Sequence, residues 1–488
     1  MQSKLIKCGL SIFSLISASG SYGEGGGGSG DGSNGRNDAK NNVSSCSSQK
    51  SKVEQKADKT NMKHNSNKLF NAKTKVLGNG LRVVVVEDPG VPRVSVGILY
   101  CVGSCDDPDH LFGLSHMTEH MFFHGSQKYP NIDVTIANVG GSINACTSSD
   151  FTMYVTDCPT NALPLVFTVE SDRMGSFNLK NVELFNQEQK AVYEERLMAV
   201  ENPPLGIANE YIAHSLSPQH PYGREVIGSR RNILGYSVDA VMNHYKTWYA
   251  PNNATIIVVG AVNAEDVFAL AEKHFGSLAS RPVPERVRDK NSLEKDITHE
   301  IVHYSDKIAS NKVCLYYPSL HRTTHSTREI AAIEIALETL FGSETSRFCW
   351  HFIDKKNMAS ELCVSFPQEL DPMPMSITVS LMPGVSIESF LKAFSKEISN
   401  VVKNGISQEE FDRSKSVMIK NISVWNSDGH KSIRNTFINL AKGFSIEEIE
   451  RRAEYLKEVT LSDVNSVLNS VFKDDPFAVV KVIPKGIV

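Results

Sequence analysis

The sequence predicts an α+β protein built from two similar domains. Strand-like and helix-like patterns alternate along the chain, and the alternation resumes after a polar, proline-containing stretch. The length of 488 residues also exceeds the roughly 100–200 residues of one typical domain. We therefore expect an N-terminal domain at residues 67–280, an interdomain linker at 281–293 and a C-terminal domain at 294–488.

The bulk composition excludes several classes of protein. Hydrophobic residues make up 41 % of the chain and charged residues 22 %, which is typical of soluble globular proteins. The net charge of −4 disfavours a nucleic-acid binder, which usually carries a basic excess. Nine cysteines are scattered without any C-x-x-C pair, so a disulfide scaffold or a cysteine zinc site is not expected.

The first 66 residues predict an export signal and a linker rather than a folded domain. Lys4 and Lys7 precede an apolar run and then small residues, a pattern typical of a secretory signal, which we place at residues 1–23. A disordered tail with chance apolar residues is the alternative. Residues 24–66 are rich in Gly, Ser, Asn and Lys and predict a flexible linker. We therefore expect a secreted or periplasmic protein without a stable membrane anchor, because no later stretch is long and apolar enough to span a bilayer.

The N-terminal domain opens with a turn and two strands. Gly78, Asn79 and Gly80 are a tight-turn signal, and residues 81–86 follow as the first strand. Residues 93–100 predict the second strand. The next segment predicts the helix that carries the motif described below.

The C-terminal domain repeats this style. Residues 313–317 and 376–381 are typical of strands, and residues 328–340 between them predict an amphipathic helix. The apolar residues on one face of that helix are Ile330, Ile333, Leu337 and Leu340. Residues 407–410 resemble a capping box that opens a further helix. The similar style of the two halves suggests a duplication, which the pattern alone does not prove.

Residues 116–120 carry the pattern H-x-x-E-H. A helix projects His116 and His120 from one face, so both imidazoles can reach a single ion. The carboxylate of Glu119 can take a proton from an activated water and pass it to a leaving amine. A chance surface helix is the alternative for so short a pattern. We interpret His124 as a helix-end residue favoured by the helix dipole, not as a ligand.

A catalytic zinc ion needs a third protein ligand. Glu188 and Glu195 are seven residues apart and share one face of a predicted helix, whereas Glu194 points elsewhere. Either of the two carboxylates on the shared face is chemically suited to the metal. An ordinary solvated acidic helix is the alternative interpretation.

With its flanking segments, the motif resembles the pitrilysin family of zinc peptidases, which includes insulin-degrading enzyme and the mitochondrial processing peptidases. The matching segments lie at residues 79–81, 102–104, 113–121, 140–148, 170–174 and 248–254. The resemblance implies that His116, His120 and Glu195 bind zinc (Zn2+), that Glu119 is the general base, and that Glu188 supports a zinc ligand without binding the metal itself. It is stronger in the first half of the chain than in the second.

The resemblance also implies a fold and a mode of substrate binding. Two similar α/β-sandwich domains are expected to form one half of a hollow clamshell, and the C-terminal domain is expected to lack a metal site. Asn144 matches a position that helps to hold the peptide, which the family binds as an added strand on a sheet edge.

One feature departs from the family pattern. Relatives of this size often carry, in the second half, an Arg and a Tyr seven residues apart that grip substrate from across the chamber. Ile353 and Ser360 occupy those positions here, and neither can make the same hydrogen bonds. We therefore expect a homo- or heterodimer with a related chain that carries the Arg/Tyr pair.

The sequence as a whole predicts a zinc endopeptidase subunit that hydrolyses peptides or unfolded polypeptides in a closed chamber. A processing peptidase of narrow specificity would carry the same residues. A catalytically silent peptide-binding or scaffold subunit is the alternative, because a fold can persist without its chemistry. The intact ligand set and Glu119 favour the enzyme.

Overall fold

The computed structural model describes residues 72–90, 92–286, 299–318, 320–426 and 429–486. The predicted signal and the linker that follows it lie outside these residues, as does most of the predicted interdomain linker. We call the described residues up to 286 the N-terminal lobe and those from 299 onward the C-terminal lobe.

The N-terminal lobe combines six strands with eight α-helices among its described residues. Its strands are β1 (Ala72–Val76), β2 (Arg82–Glu87), β3 (Arg93–Tyr100), β4 (Ser142–Thr147), β5 (Thr152–Pro159) and β6 (Ala254–Gly260). Its helices are α1 (Leu114–Phe122), α2 (Ile132–Ala137), α3 (Leu163–Ser176), α4 (Val182–Arg196), α5 (Gly206–Leu216), α6 (Arg230–Gly235), α7 (Val238–Trp248) and α8 (Ala264–Phe275). A π-helical turn at Leu197–Glu201 continues α4.

The C-terminal lobe combines five strands with seven α-helices among its described residues. Its strands are β7 (His299–Ser305), β8 (Lys312–Tyr317), β9 (Ala359–Ser365), β10 (Met375–Leu381) and β11 (Ala478–Pro484). Its helices are α9 (Thr327–Phe341), α10 (Arg347–Cys349), α11 (Ile387–Asn404), α12 (Gln408–Asn426), α13 (Gly429–Ala441), α14 (Ile446–Glu458) and α15 (Leu461–Phe472). A π-helical turn at Trp350–Lys355 continues α10.

Each lobe contains one mixed sheet with a helical layer. The strand orders are β1-β2-β6-β3-β5-β4 and β7-β11-β8-β10-β9. One pair in each sheet is parallel, β2 with β6 and β11 with β7, and the other neighbouring pairs are antiparallel. The predicted α+β class with two similar sheets is confirmed.

Several predicted elements lie within one residue of their expected bounds. The predicted strand at 93–100 is β3, and the predicted helix at 328–340 is α9 at Thr327–Phe341. The predicted turn before β2 contains Gly80 with a φ of 87°, a left-handed conformation that favours glycine. The capping box before α12 also forms, with the Ser407 backbone N–H 2.8 Å from Glu410 Oε2. These elements were predictable because their signals are local.

The longest described helices are α11 and α12, with 18 and 19 residues. Both carry charged side chains along their length. No helix in the described part of the chain is long and apolar enough to cross a membrane.

The two lobes exchange helices. From the N-terminal lobe, α5 places Ala208 and Ile212 in an apolar cluster with Val480 and Val482 of β11. From the C-terminal lobe, α13 places Phe437 in a second cluster on the N-terminal sheet. The other members of that cluster include Leu99, Phe151, Val155, Ile257 and Ala441. Each sheet is therefore buried on one face by a helix that belongs to the other lobe.

Gly97 on β3 shows how closely the exchanged helix approaches. A Cβ atom at Gly97 would overlap the ring of Phe437. The Phe437 side chain is 0 % exposed, so its ring has no free space into which it could retreat. The lobes are thus joined by close packing rather than by the linker alone.

Candidate metal centre

The first turn of α1 is fixed by a residue that lies before the helix. Gly113 at the helix start has a φ of 91° and no side chain with which to cap the helix. Asp107 supplies the cap, because its carboxylate accepts the backbone N–H groups of Gly113 at 2.8 Å and Ser115 at 2.9 Å. The Ser115 hydroxyl also donates to Asp107 at 2.6 Å and lies 3.2 Å from His244 Nε2. This network holds the backbone immediately before His116.

The contact between α1 and α4 brings together the three predicted metal ligands. His116 Nε2 lies 3.7 Å from Glu195 Oε2, and His120 Nε2 lies 3.3 Å from the same oxygen. One ligand atom from each of the three residues lies within 4.8 Å of the others. Glu194, by contrast, is exposed, as its place on the helix predicted.

The spacing and chemistry of these donors fit zinc. Ligands that lie 2.0–2.1 Å from a tetrahedral zinc ion are separated from each other by about 3.4 Å. Two imidazoles and one carboxylate are also a donor set of catalytic zinc sites, which keep a fourth position open. Burial lowers the pKa of His116 to about 4, so its imidazole is neutral and able to act as a ligand near neutral pH. The Glu195 side chain remains 25 % exposed, which leaves access to the site.

The electrostatics of the site favour a cation. Burial lowers the pKa of His120, but its hydrogen bonds with Glu188 and Glu195 outweigh burial and raise that pKa to about 10. Burial raises the pKa of Glu188, but its bonds to His120 and His124 lower it to about 2. Burial also raises the pKa of Glu195, but its interactions with His120 and His116 lower that pKa below the ordinary value. Both carboxylates are therefore ionised near neutral pH and favour positive charge between the helices.

Glu188 contacts two histidines at once. Its Oε2 lies 3.2 Å from His120 Nδ1, and its Oε1 lies 3.0 Å from His124 Nε2. The contact with His120 corresponds to the supporting position that the family resemblance implied. The contact with His124 was not predicted, because His124 was interpreted as a helix-end residue. Its place four residues after His120 is the signal that could have indicated a shared face.

Glu119 lies beside the ligands and is buried, with a relative exposure of 7 %. Its Oε2 accepts a hydrogen bond from the Thr147 hydroxyl at 2.6 Å. Burial raises the pKa of Glu119 to about 7, although His120 and Thr147 act in the opposite direction. A carboxyl group with a pKa near the working pH is suited to both accepting and donating a proton. Thr147 was not among the predicted site residues, since no local pattern marks it.

Asn144 lies on β4, the same strand that carries Thr147. β4 is one of the two edge strands of the N-terminal sheet in the described part of the chain, and the Asn144 side chain is exposed. An edge strand presents backbone N–H and C=O groups to which a further strand can pair. The edge that is available for such pairing therefore lies directly beside Glu119.

The positions of the absent Arg/Tyr pair lie far along the chain in the C-terminal lobe. Ile353 lies in the π-helical turn after α10, and Ser360 lies at the start of β9. The Ser360 hydroxyl donates to the backbone carbonyl of Ser380 at 3.3 Å. Asn357, with a φ of 48°, lies between them where the chain turns from helix to strand. These two side chains supply neither a guanidinium nor a phenol.

Two family models match the chain. Residues 82–230 match the model described as "Insulinase (Peptidase family M16)", and this range includes all of the candidate metal ligands. Residues 236–418 match the model described as "Peptidase M16 inactive domain". The division between the matches lies within the N-terminal lobe, after its metal ligands.

Proteins of known sequence and structure extend this similarity over most of the chain. The chain is 28 % identical over 409 residues to the zinc protease PqqE of Helicobacter pylori, covering 82 % of this chain and 89 % of that protein. It resembles the crystal structure of a protease from Helicobacter pylori with a TM-score of 0.78 and 25 % identity, covering 85 % of this chain and 100 % of that one. The periplasmic protease PqqL from Escherichia coli has a similar fold, with a TM-score of 0.69 and 18 % identity. In that comparison, 85 % of this chain covers 47 % of PqqL.

Proposed function

Because the chain belongs to the M16 (insulinase) family of peptidases, we propose that it is a zinc-dependent endopeptidase subunit. The observation that carries the proposal is the convergence of His116, His120 and Glu195 beside the buried carboxyl group of Glu119. Relatives named zinc proteases support the choice of metal. The proposed substrates are peptides or unfolded polypeptides.

In the proposed reaction, Glu119 moves the proton. Zinc, when bound by the three ligands, supplies Lewis-acid polarisation of the scissile carbonyl and activation of water. Glu119 accepts a proton from the attacking water and later gives it to the leaving amine. The Thr147 hydroxyl donates to one carboxylate oxygen of Glu119 at 2.6 Å, which helps to fix the orientation of the carboxylate.

We propose that substrate binds as an added strand along β4. Main-chain pairing at a sheet edge gives affinity without a strict sequence requirement, which suits a peptidase for unfolded chains. Asn144 lies on this edge and Thr147 follows on the same strand, so a paired peptide would pass next to Glu119. This arrangement supports the proposed role of Asn144 in holding the substrate backbone.

The decisive variant is Glu119→Gln, which keeps the shape of the side chain and removes its ability to take a proton. We expect kcat on an unstructured peptide to fall by about 10²–10⁴-fold, the usual contribution of general acid–base catalysis. Zinc content should stay near that of the wild type. Glu194→Gln, on the exposed side of α4, is the matched control. Undiminished cleavage by Glu119→Gln would refute the assignment of the base.

We further propose that the active particle contains a second, related chain. Ile353 and Ser360 leave this chain without the Arg/Tyr pair, and the chain covers about half the length of PqqL. A partner that carries the pair would complete a closed chamber. Full peptidase activity of this chain as a homodimer would contradict the requirement for a different partner.

We propose a secreted or periplasmic location, and a non-catalytic role is the alternative function. The N-terminal pattern at residues 1–23 and the periplasmic relative PqqL support a secreted or periplasmic location. The alternative function, a catalytically silent peptide-binding or scaffold subunit, is supported by the match of the second half to a family model described as an inactive domain. Metal analysis separates the two functions, since a scaffold has no need of one zinc ion per chain.

A further inference from the structure

We propose that His124 is a positioning residue for the metal centre. In this inference, which rests on the proposed function, His124 holds the Glu188 carboxylate in the orientation that directs His120 toward zinc. His124 is not itself a ligand.

The Glu188 carboxylate is shared between His120 and His124. Each of its oxygens contacts one histidine, with His120 Nδ1 at 3.2 Å and His124 Nε2 at 3.0 Å. A proton on His120 Nδ1 would be donated to Glu188 and would leave Nε2 with the lone pair that a metal requires. A carboxylate held at both oxygens can present only one of them to His120. His124 therefore determines which oxygen and which angle His120 meets.

The backbone explains why His124 can reach Glu188. α1 ends at Phe122, but Phe123 keeps helical angles, and the His124 backbone N–H donates to the Met121 carbonyl at 3.1 Å. This extra turn places His124 one turn after His120 on the same side of the chain. The His124 side chain is 27 % exposed and that of Glu188 is 21 % exposed. Water can therefore compete for Glu188 when His124 is absent.

The first histidine of the motif lacks a comparable support. Among the described residues, the buried Nδ1 atom of His116 has no hydrogen-bond partner. Of the two histidines of the motif, only His120 therefore has a side-chain partner at Nδ1 in the described part of the chain. Partners outside the ligand shell typically change metal affinity by about 10–100-fold when they are removed.

The test compares zinc affinity across a set of full-length variants. His124→Leu removes the donor, His124→Asn keeps a polar side chain that is too short, and His124→Gln places an amide N–H near the original Nε2. His110→Ala is the matched control, since His110 is an exposed histidine just before α1. Zinc dissociation constants are measured by competition with a chromophoric chelator, which needs no enzymatic activity.

We expect the zinc dissociation constant to rise at least 10-fold in His124→Leu and His124→Asn, following the usual range for such partners. His124→Gln and His110→Ala should remain within about 3-fold of the wild type, because neither loses the donor to Glu188. If His124→Leu misfolds, His124→Asn still tests the loss of the contact with Glu188, because it keeps a polar side chain. Unchanged zinc affinity in His124→Asn, with tight binding by the wild type, would overturn the positioning role alone. Failure of the wild type to bind zinc would instead overturn the proposed function together with this inference.

Discussion

The N-terminal and C-terminal lobes follow one plan. Their shared strands occur in the orders β2-β6-β3-β5-β4 and β7-β11-β8-β10-β9, with the parallel pair in the same place. Two α-helices separate β3 from β4 and β8 from β9, and five separate β5 from β6 and β10 from β11. By position, α1 corresponds to α9, α4 to α12 and α5 to α13. The exchanged helices α5 and α13 are thus equivalent members of the two lobes.

The two lobes differ at the contact between equivalent helices. Where α1 meets α4, the side chains are the candidate metal ligands and their supporting carboxylate. The equivalent helices α9 and α12 instead contribute Ile333, Leu337 and Phe411 to an apolar core. The same helix contact therefore carries a candidate metal centre in one lobe and a hydrophobic core in the other, and a few side chains make the difference. The fold alone therefore does not specify the chemistry.

The equivalent helices α1 and α9 also differ in how their first turns are capped. α9 begins with a local capping box, in which Ser326 and Glu329 bond each other's backbone N–H groups. α1 begins with Gly113 and relies on the buried carboxylate of Asp107. The start of α1 is therefore held by a buried contact from outside the helix, and the start of α9 by a local cap.

Substitutions on the exchanged helices α5 and α13 test whether both helices contribute to the stability of the whole protein. Phe437→Ala should lower the free energy of unfolding by about 3–5 kcal/mol, because it empties a fully buried site on the N-terminal sheet. Ile212→Ala on α5 is the counterpart in the other direction, with an expected loss of about 2–5 kcal/mol. Urea unfolding should show one transition that moves as a whole in both variants. Separate transitions for the two lobes would contradict the idea that the exchange joins them.

Removal of the caps of α1 and α9 should have a smaller effect on stability and tests the difference between them. Asp107→Ala should cost about 2 kcal/mol, because it removes a cap and leaves buried N–H groups without their acceptor. Ser326→Ala, at the exposed start of α9, should cost about 1 kcal/mol. Zinc affinity should fall in the first variant and stay unchanged in the second, as judged by chelator competition. Equal zinc affinities in both variants would show that the cap does not position α1.

The smallest effect concerns acid stability. Burial lowers the pKa of His244 on α7 to about 3, against an ordinary value of 6.5. Between pH 6.5 and pH 3, His244 therefore binds a proton in the unfolded chain but stays neutral in the folded protein. The free energy of unfolding falls as the pH is lowered through this range. Between pH 6 and pH 5 this one residue should account for a loss of about 1 kcal/mol. The corresponding helix α15 contributes Val464 and Leu468 to its core and offers no such group at those positions.

His244→Gln separates this effect from other titrations. Urea unfolding of the wild type and the variant at pH 6 and pH 5 should show a smaller pH-dependent loss in the variant. Parallel losses in the two proteins would mean that His244 does not titrate on unfolding in this range.

The sequence was most informative where the physical signal is local. Strand β3 follows from its residue pattern, and α12 follows from the capping box at Ser407 and Glu410. The ligand set followed from helical spacing at His116, His120 and Glu195 once the family resemblance had been noted. The predicted roles of these residues stay predictions until zinc binding and peptide cleavage are measured.

The parts that were not predicted depend on residues that are distant in sequence. Thr147 meets Glu119 across 28 positions, and Glu188 meets His124 across 64. The helix exchange could not be predicted from the hydrophobic pattern either, because an apolar helix face does not indicate which sheet it packs against. The contact between His124 and Glu188 was not predicted for the same reason, since it depends on a partner helix that follows much later in the chain.

The helix exchange also has a consequence for the order of synthesis. Leu99 and Ile257 are made early, but Phe437, which covers their side of the sheet, is made near the end of the chain. From the end of β6 at residue 260 to the start of α13 at residue 429, this face of the N-terminal sheet therefore presents an open apolar surface. Proteins with exposed apolar surface during folding are prone to aggregate and depend on chaperones. The N-terminal lobe can therefore bury its main core early, but it closes this second apolar face only when residues near the end of the chain have been made.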